Sequence, residues 1–73
     1  MNYGKAFKEI REEKHLSRAD VAKQIGCTPS ALSKIENCRV LPREKTIANF
    51  CAVLRTPIAR FYTLCFGPDD FIA

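Results

Sequence analysis

Four thiols and one imidazole are the side chains in this sequence able to bind a transition metal or run a redox couple: Cys27, Cys38, Cys51, Cys65 and His15. Their spacing argues against both uses. Ten, twelve and thirteen residues separate successive cysteines, no C-x-x-C pair occurs, and His15 stands twelve positions from the nearest thiol. No local ligand pair can form from such a pattern. The N-terminus, MNYGKAFKEI, is too charged for a secretory signal, so the thiols are expected to stay reduced. Cys27 and Cys51 fall where a small apolar side chain is wanted, and buried cysteine behaves as one. The expectation is structural cysteines, no metal and no cofactor. Paired carboxylates, a nucleophile–base pair and a glycine-rich phosphate loop are all missing from the sequence, so nothing in it points to an enzyme.

The other chemistry on offer is cationic. Residues 1–45 carry ten Lys and Arg against six Asp and Glu, whereas residues 46–73 carry two against two. The net charge of +4 therefore sits in the N-terminal part, and a basic face suits a polyanion. Apolar residues at 47% with only three glycines argue against disorder. No apolar run approaches the ~20 residues that span a bilayer, so a soluble cytoplasmic protein with no membrane contact is expected. Seventy-three residues make one domain, near the size where a single core is only marginally stable.

The elements that would carry these charges announce themselves by their start signals. Ser17 is an N-cap, with Asp20 placed to close a capping box and Leu16 to staple against Val21. Thr28 caps the next helix, Pro29 takes its first position, and Cys27 can staple against Leu32. Two capped helices joined by a short turn at Gly26-Cys27-Thr28 make a helix-turn-helix. A first helix over about 2–14 shows Ala6, Phe7 and Ile10 on one stripe, and a fourth from Arg43 or Glu44 buries Ile47, Phe50, Cys51 and Leu54. The second helix, about 18–25, buries Val21, Ala22 and Ile25; the third, about 29–37, buries Leu32 and Ile35. Thr56-Pro57 repeats the cap-and-proline signal and opens a fifth helix that Gly67-Pro68 ends. The reading is an all-α, five-helix domain over residues 1–66 followed by a short tail, 67–73.

The order of helices and the segments IREEKHLS, ADVAKQIG and SALSKIEN, with a proline opening the fourth helix, resemble the lambda-repressor/Cro (XRE) family of helix-turn-helix regulators across about residues 5–62. The resemblance implies a lambda-repressor-like fold whose third helix is the recognition helix in the major groove. It places Thr28, Pro29, Ser30, Ser33 and Lys34 at the base edges, with Lys34 the best reader of guanine O6 and N7 or else a phosphate contact. Arg18, Asn37, Arg39 and Arg43 fall on the phosphate backbone, Arg43 alternatively in an adjacent minor groove. Family members often have Gln where this chain has Arg18, and the partner glutamine's place holds Pro29, so no operator sequence carries over. Arg11 and Glu36 match a structural ion pair that locks the recognition helix to the core. Relatives often carry Gly just after helices one, three and four, where His15, Cys38 and Arg55 stand here, so these residues face the left-handed conformation. At the third stop Asn37 is an alternative to Cys38.

Ile58, Leu64, Cys65, Phe66, Phe71 and Ile72 are more apolar surface than one short helix needs for its own core. They suggest a twofold homodimer with recognition helices about 34 Å apart, on a near-palindromic site. The function expected is sequence-specific binding of double-stranded DNA by a transcriptional repressor, with regulation through concentration, dimerisation or a partner. The alternative is an antitoxin or other protein-binding module whose apolar C-terminus captures a toxin or another regulator.

Overall fold

The first three helix starts in this chain are set by side chains that satisfy backbone N–H groups left over at a first turn. The computed structural model describes residues 2–66. It contains α1 (Tyr3–Glu13), α2 (Arg18–Ile25), α3 (Pro29–Glu36), α4 (Glu44–Val53) and α5 (Ile58–Cys65). No strand occurs among the described residues. The side-chain oxygens of Asn2, Ser17 and Thr28 accept from the N–H groups of Lys5, Asp20 and Ala31 at 2.9, 3.1 and 3.0 Å. Each such cap stabilises its helix by about 1 kcal/mol. Leu16 and Cys27, just before two of these caps, are half-buried against the core, as a staple requires.

The start of α5 differs from the expectation. Pro57 rather than Thr56 is the capping residue, and no side-chain cap forms there. Thr56 is buried, and its hydroxyl turns back to donate to the Leu54 carbonyl at 3.3 Å. The hydroxyl serves the end of α4 because burial leaves it no solvent alternative.

Helix stops follow the backbone. Gly26 ends α2 at φ 78°, and His15, Cys38 and Arg55 adopt φ of 58°, 60° and 52° in the turns after α1, α3 and α4. Cys38, not Asn37 (φ −92°), takes the left-handed position at the third stop.

The core is a single cluster to which every helix contributes, from Ala6, Phe7 and Ile10 of α1 to Phe61 and Cys65 of α5. Three phenylalanines at its centre, each fully buried, join α1, α4 and α5. Phe7 lies 4.2 Å from Phe50 and meets Phe61 edge-on at 5.3 Å, centroid to centroid. Burying each such ring contributes about 1.5–3 kcal/mol. Ile25 is only half-buried, at the rim between α2 and α4, where Asn49 Nδ2 donates to its carbonyl at 3.2 Å. The Asn2 N–H donates to the Cys65 carbonyl at 2.8 Å, tying the start of α1 to the end of α5. No helix among the described residues is long and apolar enough to cross a membrane.

Candidate nucleic-acid interface

α3 buries Leu32, Ile35 and Glu36 and turns the rest outward. Thr28, Pro29, Ser30 and Lys34 are exposed, and Ser33 is half-buried. These are the residues expected to reach bases: Thr28 stands at the cap and Pro29, Ser30, Ser33 and Lys34 on the helix outside its buried stripe. Two of them arrive already engaged. Thr28 Oγ1 accepts the Ala31 N–H, which leaves its hydroxyl proton for an outside partner. Ser33 Oγ accepts from Asn37 Nδ2 at 3.2 Å, so these two side chains pair across a turn and present a joint polar edge. Pro29 offers only apolar contact, and Ser30 and Lys34 make no side-chain hydrogen bond or ion pair among the described residues.

The helix is fastened from behind by a carboxylate. The Glu36 side chain is 1% exposed and receives Arg11 Nε on Oε2 at 2.8 Å and Arg11 Nη2 on Oε1 at 3.2 Å. Arg11 Nη1 donates onward to the Leu16 carbonyl at 2.9 Å, so one guanidinium links α1, the turn before α2, and α3. The hydrogen bond to Glu36 raises the Arg11 pKa above its ordinary value, outweighing the opposing effect of burial.

Arg18, which the resemblance puts at the phosphate backbone, has a further partner: its Nε donates to Glu36 Oε1 at 3.0 Å. Two guanidiniums thus share one carboxylate, and a positive charge remains at the N-terminus of α2 on a side chain 44% exposed. What Arg18 can offer another anion is the outer edge of its guanidinium, held in place by Glu36.

Sequence reasoning missed Gly4. A Cβ there would collide with the backbone carbonyl of Glu36 and come within 2.8 Å of Cys38 Sγ, so a bare backbone is what lets α1 lie against the end of α3. Spacing alone puts Gly4 and Arg11, seven residues apart, on one face of α1; that this face meets Glu36 is a tertiary outcome the sequence does not signal.

Asn37, Arg39 and Arg43 are exposed in and beside the loop after α3. The Lys34 carbonyl accepts from the N–H groups of Arg39 and Val40 at 2.8 and 3.3 Å, so this loop is folded back on the helix. Cys38 Sγ donates to Asn2 Oδ1 at 3.2 Å, binding the loop to the cap of α1. Among the other thiols, burial pushes Cys27 and Cys51 up and Cys65 to about 11, so all three stay protonated at neutral pH. No cluster of three His, Cys, Asp or Glu converges among the described residues.

The apolar C-terminal set divides. Ile58 is 47% exposed, and Leu64 and Phe66 are half-buried against the core. Cys65, expected at an interface between copies, is instead part of the core. It lies four residues after Phe61, on the same inward face of α5, and so cannot face a partner. Phe71 and Ile72 lie outside the described residues.

Comparison with known proteins agrees with this geometry. The sequence profile of a family described as helix-turn-helix domain matches residues 3–61. Over 51 residues the chain is 39% identical to the ImmF control region 10 kDa protein of Bacillus phage phi105, covering 70% of this chain and 57% of that protein. Over 67 residues it is 33% identical to the HTH-type transcriptional regulator PuuR of Escherichia coli K12, and equally to PuuR of Shigella flexneri. That match covers 92% of this chain and 36% of either regulator, so the chain spans less than two thirds of these relatives. With α2 and α3 set as a capped helical pair and the Arg11–Glu36 pair behind them, all inside the matched residues, the chain belongs to the helix-turn-helix domain family, in its XRE-like, lambda-repressor-like form.

Proposed function

We propose that this protein is a transcriptional regulator that binds double-stranded DNA sequence-specifically, a repressor working as a homodimer in the cytoplasm on a near-palindromic operator. The observation that carries the reading is the exposed face of Thr28, Pro29, Ser30 and Lys34 on a helix held rigid by a buried carboxylate. The printed names of the similar proteins, a phage control-region protein and bacterial transcriptional regulators, support it.

In this reading α3 lies in the major groove with its N-terminal residues and exposed face at the base edges. Lys34 donates to guanine O6 and N7, Ser30 bonds a base edge, and Pro29 packs on a thymine methyl. Arg39, Arg43 and the outer edge of Arg18 take phosphates, which adds affinity for any sequence and steepens its dependence on salt. Rigidity matters because a helix that rocks on its core averages over wrong registers. The Glu36 clamp supplies that rigidity without touching DNA.

Selection from randomised duplexes at ~150 mM salt, where non-specific attraction is weakened, tests the reading. Two half-sites one helical turn apart are expected. Lys34→Ala should then relax one base position by about 1–3 kcal/mol, while Arg39→Ala weakens all sequences alike. Folded protein that enriches no sequence would reject it.

A further inference from the structure

Two of the three exposed large hydrophobic side chains among the described residues are neighbours on the loop between α3 and α4: Val40 at 47% and Leu41 at 76% exposure. A single exposed leucine is unremarkable, but this pair stands on a braced loop between two arginines. The Lys34 carbonyl holds the Arg39 and Val40 N–H groups, the Ile35 carbonyl holds the Cys38 N–H at 3.0 Å, and Pro42 follows directly. On the other side Cys38 is pinned to Asn2 and packed against Gly4. The loop's apolar tip therefore has a set position relative to the recognition face.

Charge decides what such a tip can meet. Arg39 and Arg43 flank it, and residues 37–43 contain no carboxylate. A symmetric contact with a second copy centred on Leu41 would bring four guanidiniums together, a like-charge arrangement that opposes association. A surface that is apolar in the middle and anionic on both sides fits without conflict. The minor groove of a duplex is such a surface, with deoxyribose faces inside and a phosphate ridge on each wall.

We propose that Leu41, backed by Val40 and set between Arg39 and Arg43, enters the minor groove beside the half-site held by α3. Its side chain packs on deoxyribose and base-edge surface while the two arginines take the bordering phosphates. The inference rests on the DNA-binding reading above and extends it: the loop reads groove shape in the flank, at base pairs α3 does not touch.

The test uses the full chain, the duplex selected by the wild type, and the variants Leu41→Ser, Leu41→Met and Arg39→Ala. Replacing flanking G·C pairs by I·C removes the guanine 2-amino group from the minor groove and leaves the major-groove edge unchanged. The wild type and Leu41→Met should prefer the I·C flank. Leu41→Ser should lose that preference and about tenfold in affinity, at unchanged thermal stability and unchanged salt slope. Arg39→Ala should flatten the salt slope instead. Equal binding by Leu41→Ser with the flank preference retained would overturn the inference and leave the DNA-binding reading standing. So would a shift of free Leu41→Ser from dimer to monomer in sedimentation, since the tip would then belong to a contact between copies. A wild type that binds no duplex overturns both.

Discussion

Arg11 grips Glu36 with two nitrogens, Nε at 2.8 Å and Nη2 at 3.2 Å, on a carboxylate that is 1% exposed. The pair joins the last turn of α1 to the last residue of α3, so α3 is oriented by the N-terminal helix rather than by α2 alone. Arg18 reaches the same carboxylate from the wet side.

The two arginines should therefore respond differently to truncation. Arg11→Ala leaves the buried Glu36 carboxylate with only the half-exposed Arg18 as its ion-pair partner and is expected to cost about 2–3 kcal/mol in urea unfolding. Arg18→Ala removes a half-exposed partner and should cost no more than about 1 kcal/mol, while still flattening the salt dependence of DNA binding. Equal losses of stability would contradict the asymmetry seen in the structure.

Gly4→Ala should destabilise the protein even though alanine is the better helix former. The new methyl meets the Glu36 backbone carbonyl and Cys38 Sγ, and a carbonyl cannot move aside as a flexible side chain can. A loss of about 1–3 kcal/mol is expected from overpacking, read by urea or thermal unfolding. A stabilised variant would show that α1 does not lie this close to α3.

His15 and Arg55 occupy left-handed backbone at φ 58° and 52°. His15→Gly and Arg55→Gly should each raise stability by about 0.5–1 kcal/mol, since glycine removes the conformational penalty but loosens the unfolded chain. Thermal midpoints of the single and double variants would check this, with near-additive gains expected for turns at two separate stops.

Cys65 titrates at about 11 in the folded protein, raised from 9.0 chiefly by burial. The folded chain keeps this proton where the unfolded chain loses it, so the contribution is fully present below about pH 9 and is lost as pH rises toward 11. Burial shifts Cys51 and Cys27 in the same direction and adds to the same trend. Comparing urea midpoints of wild type and Cys65→Val from pH 7 to 11 should show a shallower alkaline fall in the variant. Parallel curves would count against a protonated, buried Cys65.

Local signals were legible because they are local. The caps at Ser17 and Thr28, the first-turn proline at 29 and the stop at Gly26 involve atoms within a few residues, so α2 and the start of α3 could be read directly, and α1 to within one residue at each end. The left-handed stops at His15 and Arg55 were readable from the resemblance to relatives that carry glycine there, whereas at the third stop the sequence left Cys38 and Asn37 open and the fold chose Cys38. Thr56 misled for the complementary reason. Its sequence context is that of a cap, yet burial turned its hydroxyl toward Leu54.

What the residues determined by themselves is the set of five helices, their inward stripes, and which face of α3 stays polar, since periodicity and capping depend on neighbours in the chain. Tertiary structure alone decided who shares Glu36, that Gly4 must be bare, that Cys65 belongs to the core, and that Leu41 stands exposed between two arginines. Those outcomes depend on the distance and angle at which α1, α3 and α5 meet. No spacing along the chain encodes such quantities, because they follow from packing all the side chains of the core at once.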